Sequence, residues 1–134
     1  MKTAKMIGLC LLLWPAVSEA QLLVAASPVK AEGNKALVKL DFRNNLTNAV
    51  ESARATVFLL NGEKVVGHAT KWVIGGTKDK AGLTEGGTNV FFFVFTSDKP
   101  FPRTNLIAKV NFDRIVLEGG KFADVSKDVV ILDK

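Results

Sequence analysis

His68 is the only histidine of this 134-residue chain, and Cys10 is its only cysteine. A general base needs a nucleophile and an orienting partner, and a metal centre needs several ligands held by further contacts. One imidazole supplies neither, and no H-x-H or H-x-x-x-H spacing exists. The carboxylates Asp98, Asp113, Asp124, Asp128 and Asp133 are the remaining material for acid–base work or calcium. The EF-hand spacing is absent, and a glycosidase-type pair cannot be recognised in scattered positions. A hydrolase built on them is the weakest reading, since such residues mark wet faces and turns. Gly75-Gly76 and Gly86-Gly87 form no phosphate cradle, because neither pair opens a helix with a following Lys and Ser or Thr. Asn45-Leu46-Thr47 is a formal glycosylation sequon in an expected turn. These residues indicate a protein that is not an enzyme and carries no cofactor and no metal.

The aromatic residues are more informative. Asn89 to Thr96 reads N-V-F-F-F-V-F-T, a continuous apolar run of strand length. In a strand, Phe91, Phe93 and Phe95 point to one side and Val90, Phe92 and Val94 to the other. One set fills a core and the other needs a cover. A central strand is expected, covered by Pro100–Pro102 with Phe101 or by the polar connection Thr77–Gly87. The alternative is an exposed patch near Trp72, docking a protein or a carbohydrate. Trp72, Phe91, Phe93, Phe95 and Phe101 are then the candidate contacts. Asp98-Lys99-Pro100, directly after the run, reads as a gatekeeper against edge aggregation.

These residues are positioned by an all-β chain. Ala36, Val38, Leu40 and Phe42 alternate with Leu37, Lys39, Asp41 and Arg43, the period of a half-buried strand. Ala53 to Leu60 is rich in β-formers and meets Asn61-Gly62, a strong hairpin signal, so the chain turns back over Glu63 to Ile74. Leu106 to Phe112 alternates again and continues toward Val116. Asp128 to Leu132 reads as a closing strand and Leu22 to Lys30 as an opening one, with Pro28 suited to an edge. About seven short strands, with a turn signal roughly every ten residues, predict an antiparallel two-sheet sandwich of immunoglobulin-like type.

The first 20 residues read as an export leader. Lys2 and Lys5 precede an apolar run from Met6 to Trp14, and Ser18-Glu19-Ala20 ends in small residues at the peptidase-read positions. Cleavage after Ala20 leaves one domain over 21–134. The run is well short of the ~20 residues that span a bilayer, so no stable membrane span is expected. Leu9 is bulky where a lipoprotein signal before Cys10 would want a small residue. The processed chain therefore has no cysteine, and packing alone must hold it. Losing Lys2, Lys5 and Glu19 takes 18 basic and 13 acidic residues to 16 and 12, a net charge of +4. The excess is dispersed, unlike the clustered footprint of a nucleic-acid binder. A weak attraction to anionic lipid or cell-wall polymer is compatible with it.

Val38 to Ala69 resembles the first half of the FxLYD type of bacterial immunoglobulin-like domain. The similarity rests on the turn Phe42-Arg43-Asn44-Asn45, on Phe58-Leu59-Leu60-Asn61-Gly62 in place of the F-x-L motif and its glycine turn, and on Lys64-Val65-Val66-Gly67 as the return strand. Ala108-Lys109-Val110-Asn111-Phe112 is similar in pattern. The chain departs from the signature at Leu60 and Asn61, where that family has a Tyr-Asp pair. The resemblance implies an extracytoplasmic accessory module, periplasmic or secreted, without catalytic residues. Two functional classes follow: a binding or structural module of the bacterial envelope with a protein or carbohydrate partner, or a subunit of a surface or pilus-like assembly joined by strand pairing.

Overall fold

The computed structural model describes residues 20–103 and 105–133. The leader, with Cys10, lies outside the described residues except for Ala20. Nine strands form in chain order: β1 (Leu22–Ala26), β2 (Lys30–Glu32), β3 (Lys35–Asn44), β4 (Val50–Asn61), β5 (Lys64–Gly75), β6 (Thr88–Thr96), β7 (Leu106–Leu117), β8 (Lys121–Phe122) and β9 (Val129–Asp133). A single helical turn, α1 (Val125–Asp128), precedes β9 and is capped by the Asp124 carboxylate, which accepts from Ser126 N–H at 3.1 Å.

The strands make two packed sheets. In one, β3 pairs with β6 along one side and with β2 and β1 along the other, and β9 closes the far edge. In the other, the order is β5-β4-β7-β8. The expected sandwich is present, and the chain crosses between its sheets at β3–β4, β5–β6, β6–β7 and β8–β9. The count is nine strands, because the opening segment breaks around Pro28 into β1 and β2, and because a two-residue strand, β8, that the sequence did not announce turns back on β7 after Gly119-Gly120. One pairing departs from the antiparallel expectation: β9 runs parallel to β1. The alternation of apolar side chains fixes which face a strand buries but carries no sign of its direction.

Period two is what builds the core. Ala36, Val38, Leu40 and Phe42 of β3 meet Val57, Leu59, Val110 and Phe112 of the opposing sheet, with Phe93 and Phe95 of β6 between them. The Phe42 and Phe112 rings meet edge to face, with centroids 6.3 Å apart. The hairpin falls where the sequence puts it but one residue later than the expected Asn61-Gly62 pair: Asn61 still pairs with Lys64, and the chain turns through Gly62, at φ 66°, and Glu63. The connection from β5 to β6 carries no helix and is tied down by mutual hydrogen bonds between Val50 and Leu83, both 2.8 Å.

Asn44 is the one buried polar residue of the described set. Its Nδ2 donates to the carbonyls of Asn48 (3.0 Å), Leu83 (3.0 Å) and Thr84 (3.2 Å), and its Oδ1 accepts from Leu46 N–H (3.0 Å). One side chain therefore joins the β3–β4 turn to the β5–β6 connection. The sequon residue Asn45 lies in that same turn, half-buried, with Thr47 exposed.

Two expectations about burial are exchanged. β6 is an edge strand of its sheet, whereas the strand buried on both faces is β1, held between β3 and β9. A run of apolar residues reports a low polar content on both sides of a strand. It does not report whether a neighbour exists to use it.

Candidate functional site

The ladder between β3 and β6 fixes what β6 offers to solvent. Thr96 pairs with Lys35 and Phe93 with Val38, and the next step beyond, Ser97 N–H to Asn34 O at 2.9 Å, is a bonded pair. By strict alternation Phe95, Phe93, Phe91 and Asn89 exchange hydrogen bonds with β3. Thr88, Val90, Phe92, Val94 and Thr96 therefore turn their amides and carbonyls toward the open edge. On β3 the complementary phase holds, since Ser27 N–H reaches Lys39 O at 3.0 Å on the β1 side. Among the described residues no strand pairs with that open edge, and Asn89 Oδ1 accepts the Val90 N–H at 2.8 Å.

The same parity governs the side chains. Phe93 and Phe95 are buried and Phe91 is half-buried, whereas Val90, Phe92 and Val94 are 44%, 50% and 53% exposed. The contact set expected from the sequence is therefore corrected. Phe93, Phe95 and Phe101 belong to the core and can touch a partner only if the domain opens. Phe101 folds in beneath Gly33, its N–H donating to that carbonyl at 2.8 Å, and leaves the outer side of β6 uncovered. The exposed set is Val90, Phe92 and Val94, which the candidate list omitted. No feature of N-V-F-F-F-V-F-T distinguishes the two parities, because both are apolar.

Around this row the outer face carries Leu37, Lys39 and Asp41 from β3, opposite Val94, Phe92 and Val90 respectively. Lys39 approaches Asp41 to 3.9 Å, and Lys35 and Arg43 stand at the two ends, opposite Thr96 and Thr88. The row is thus an apolar stripe with a mainly basic border. At its Val94 end a shallow groove of about 460 Å³ is lined by Lys30, Ala31, Glu32, Lys35 and Leu37. At its Val90 end a cleft of about 360 Å³ opens between β5 and β6. Lys80 closes over that cleft, with Nζ 4.2 Å from the Phe91 ring centroid and bonded to the Trp72 carbonyl. Burial lowers the Lys80 pKa, and the neighbouring charge of Lys71 lowers it further.

Trp72 is not part of the stripe. It lies on the outer face of the opposite sheet, where Arg54 covers one side of the ring at 5.4 Å and the Gly76 backbone packs so close that a Cβ there would run into the indole. Arg54 is held in turn by Asp113, Nη2 to Oδ2 at 2.7 Å, and each raises or lowers the other's pKa toward the charged form, chiefly through that hydrogen bond. His68 is exposed on this same face, its ring 6.1 Å from that of Phe58.

The carboxylates do not converge. Asp113 is paired with Arg54, Asp124 caps α1 and its pKa is lowered by the Ser126 hydroxyl and amide, and Asp128 accepts from Asp124 N–H at 2.9 Å. Asp98 follows β6, and Asp133 ends β9. Among the described residues no three His, Cys, Asp or Glu side chains stand together as a metal site.

Comparison with family models, with curated proteins and with solved structures gave no match. No helix among the described residues is long and apolar enough to cross a membrane.

Proposed function

We propose that this chain is an exported, non-catalytic binding or structural module of the bacterial cell envelope, periplasmic or secreted, working through the outer face and open edge of β6. The observation that carries this reading is the exposed row Val90, Phe92 and Val94 beside an unpaired strand edge. A contiguous apolar face of this kind is a cost in water unless something covers it. Export is supported by the leader pattern of residues 1–20, and the accessory role by the resemblance to FxLYD domains.

The chemistry of the face favours a protein partner over a carbohydrate. A sugar ring is held by a free aromatic platform with flanking polar groups, and Trp72 is already packed against Arg54 and Gly76. Aliphatic side chains and unpaired backbone suit an extended polypeptide.

Photo-crosslinkers placed at position 92 and, as a comparison, at Thr70 on the opposite sheet test this in living cells. The reading predicts protein adducts from position 92 only, on a processed chain beginning at Gln21. Adducts from both positions alike, or an unprocessed chain retained in the cytoplasm, contradict it.

A further inference from the structure

We infer that the occupant of the open β6 edge is β6 of a second copy of this chain, added antiparallel about a two-fold axis through Phe92. This rests on the reading that the β6 side is the working surface and specifies what covers it.

β6 reads T-N-V-F-F-F-V-F-T, nearly a palindrome about Phe92. When two copies pair antiparallel about a two-fold through Phe92, position i meets position 184 − i. The outward residues then match themselves: Thr88 meets Thr96, Val90 meets Val94, and Phe92 meets Phe92. β-Branched and aromatic pairs of this kind are favourable cross-strand partners. β6 contains no charged residue, so no like charges face each other across the axis.

The backbone phase permits this register. The residues brought opposite each other are Thr88, Val90, Phe92, Val94 and Thr96, and these are the five whose amides and carbonyls the β3 ladder leaves facing outward. Each matched position is then a bonded pair that exchanges two hydrogen bonds. A two-fold placed between two residues would bring bonded positions opposite unbonded ones and lose the ladder, while one at position 91 or 93 would keep the ladder but set Phe92 against Val90 or Val94 instead of against itself. Asn89 must release the Val90 N–H, which then passes to the partner's Val94 carbonyl.

The arrangement is isologous and closes at two copies, so it ends the edge instead of propagating it. Lys71 and Lys80 border the same edge in both copies, and their mutual repulsion is screened by salt. Added salt therefore tightens this dimer, whereas it weakens attachment of an acidic peptide to the same basic border.

Sedimentation of the protein in the form cells hold it, in a Cys10→Ser background, tests the inference together with oxidative crosslinking. The expected results are a particle of twice the chain mass for the parent and for Thr70→Lys, and a folded monomer with unchanged circular dichroism for Phe92→Lys. Phe92→Cys should crosslink to itself. Val94→Cys should crosslink only when mixed with Val90→Cys. Val94→Cys linking to itself, a ladder of higher oligomers, or a parent that stays monomeric at its highest soluble concentration overturns the inference. A monomer that still gives adducts with another protein from position 92 overturns the dimer and leaves the proposed function standing. A monomer without adducts overturns both.

Discussion

Phe92 and Phe93 are adjacent and chemically identical, yet the fold gives them opposite roles. Phe93 meets Phe91 edge to face at 5.3 Å and stacks on Phe95 at 6.2 Å between centroids, while Phe92 stands half in water. Phe93→Ala should therefore lower unfolding stability by about 3–5 kcal/mol, and Phe92→Ala in dilute solution by no more than about 0.5 kcal/mol. Denaturant titration of both variants measures the difference, and equal effects would contradict the assigned parity. Asn44 provides a second residue-scale test, because its amide donates to three carbonyls, of which Leu83 also accepts from Val50 N–H and Thr84 from Gly87 N–H. Asn44→Asp places a carboxylate against those carbonyls and should cost more than Asn44→Ala, by upwards of about 3 kcal/mol relative to the parent. A milder effect for Asp than for Ala would show that the turn and the connection are not joined through this side chain.

Asp113 links residue chemistry to pH. Its hydrogen bond with Arg54 holds its folded pKa below the ordinary value near 4. The stabilisation is therefore present above about pH 4 and is lost as pH falls through the lowered folded value. Both side chains are well exposed, so the amount is below about 1 kcal/mol. Urea midpoints of the parent and Asp113→Asn should differ at neutral pH and converge in acid. A gap that widens as pH falls would contradict the pairing.

At the scale of elements, the readings that succeeded were those in which one face of a strand is polar. The alternation in β3 and β7 marks the buried side without ambiguity, and Asn61-Gly62 locates the β4–β5 turn to within one residue, because Gly62 takes a positive φ that few other residues accept. The readings that failed concern neighbours. β6 is apolar on both sides, so its sequence fits a central strand and a sticky edge equally well. β1, expected at an edge because of Pro28, is central because that proline falls in the break after Ala26. The parallel β1–β9 pairing joins segments about a hundred residues apart, and no local signal specifies it. The candidate site was legible as a strand and as an aromatic cluster. Its exposed parity was not, because that depends on which strand lies across the ladder.

The end of β5 carries a constraint that sequence shows only as a glycine pair. Gly75 is buried at φ 53°, and a Cβ there would run into the Glu51 carbonyl oxygen, whereas Gly33 at φ 60° has open space around it. Gly33→Ala should cost about 1 kcal/mol from backbone strain alone, and Gly75→Ala more than about 2 kcal/mol. Thermal unfolding of the two variants ranks them. Equal losses would place β4 farther from the Gly75 backbone than the structure does.

For the whole molecule, two packed sheets give a scaffold on which, among the described residues, the longest row of exposed apolar side chains along one strand lies on β6, while Val65, Ile107 and Phe122 are exposed on the opposite sheet. The middle of that opposite face is internally paired through Arg54–Asp113 and the Thr56–Thr70 hydroxyl contact at 2.6 Å. The proposed working surface is the side of the molecule where a strand edge stays unpaired. Single cysteines at positions 90 to 95, probed with a small thiol reagent, test this most directly. The account predicts fast labelling at 90, 92 and 94 in the purified protein diluted to monomer, protection of those three in the native envelope, and slow labelling at 93 and 95 in both. Even positions as unreactive as the odd ones in the purified protein, or equally reactive in both settings, would contradict it.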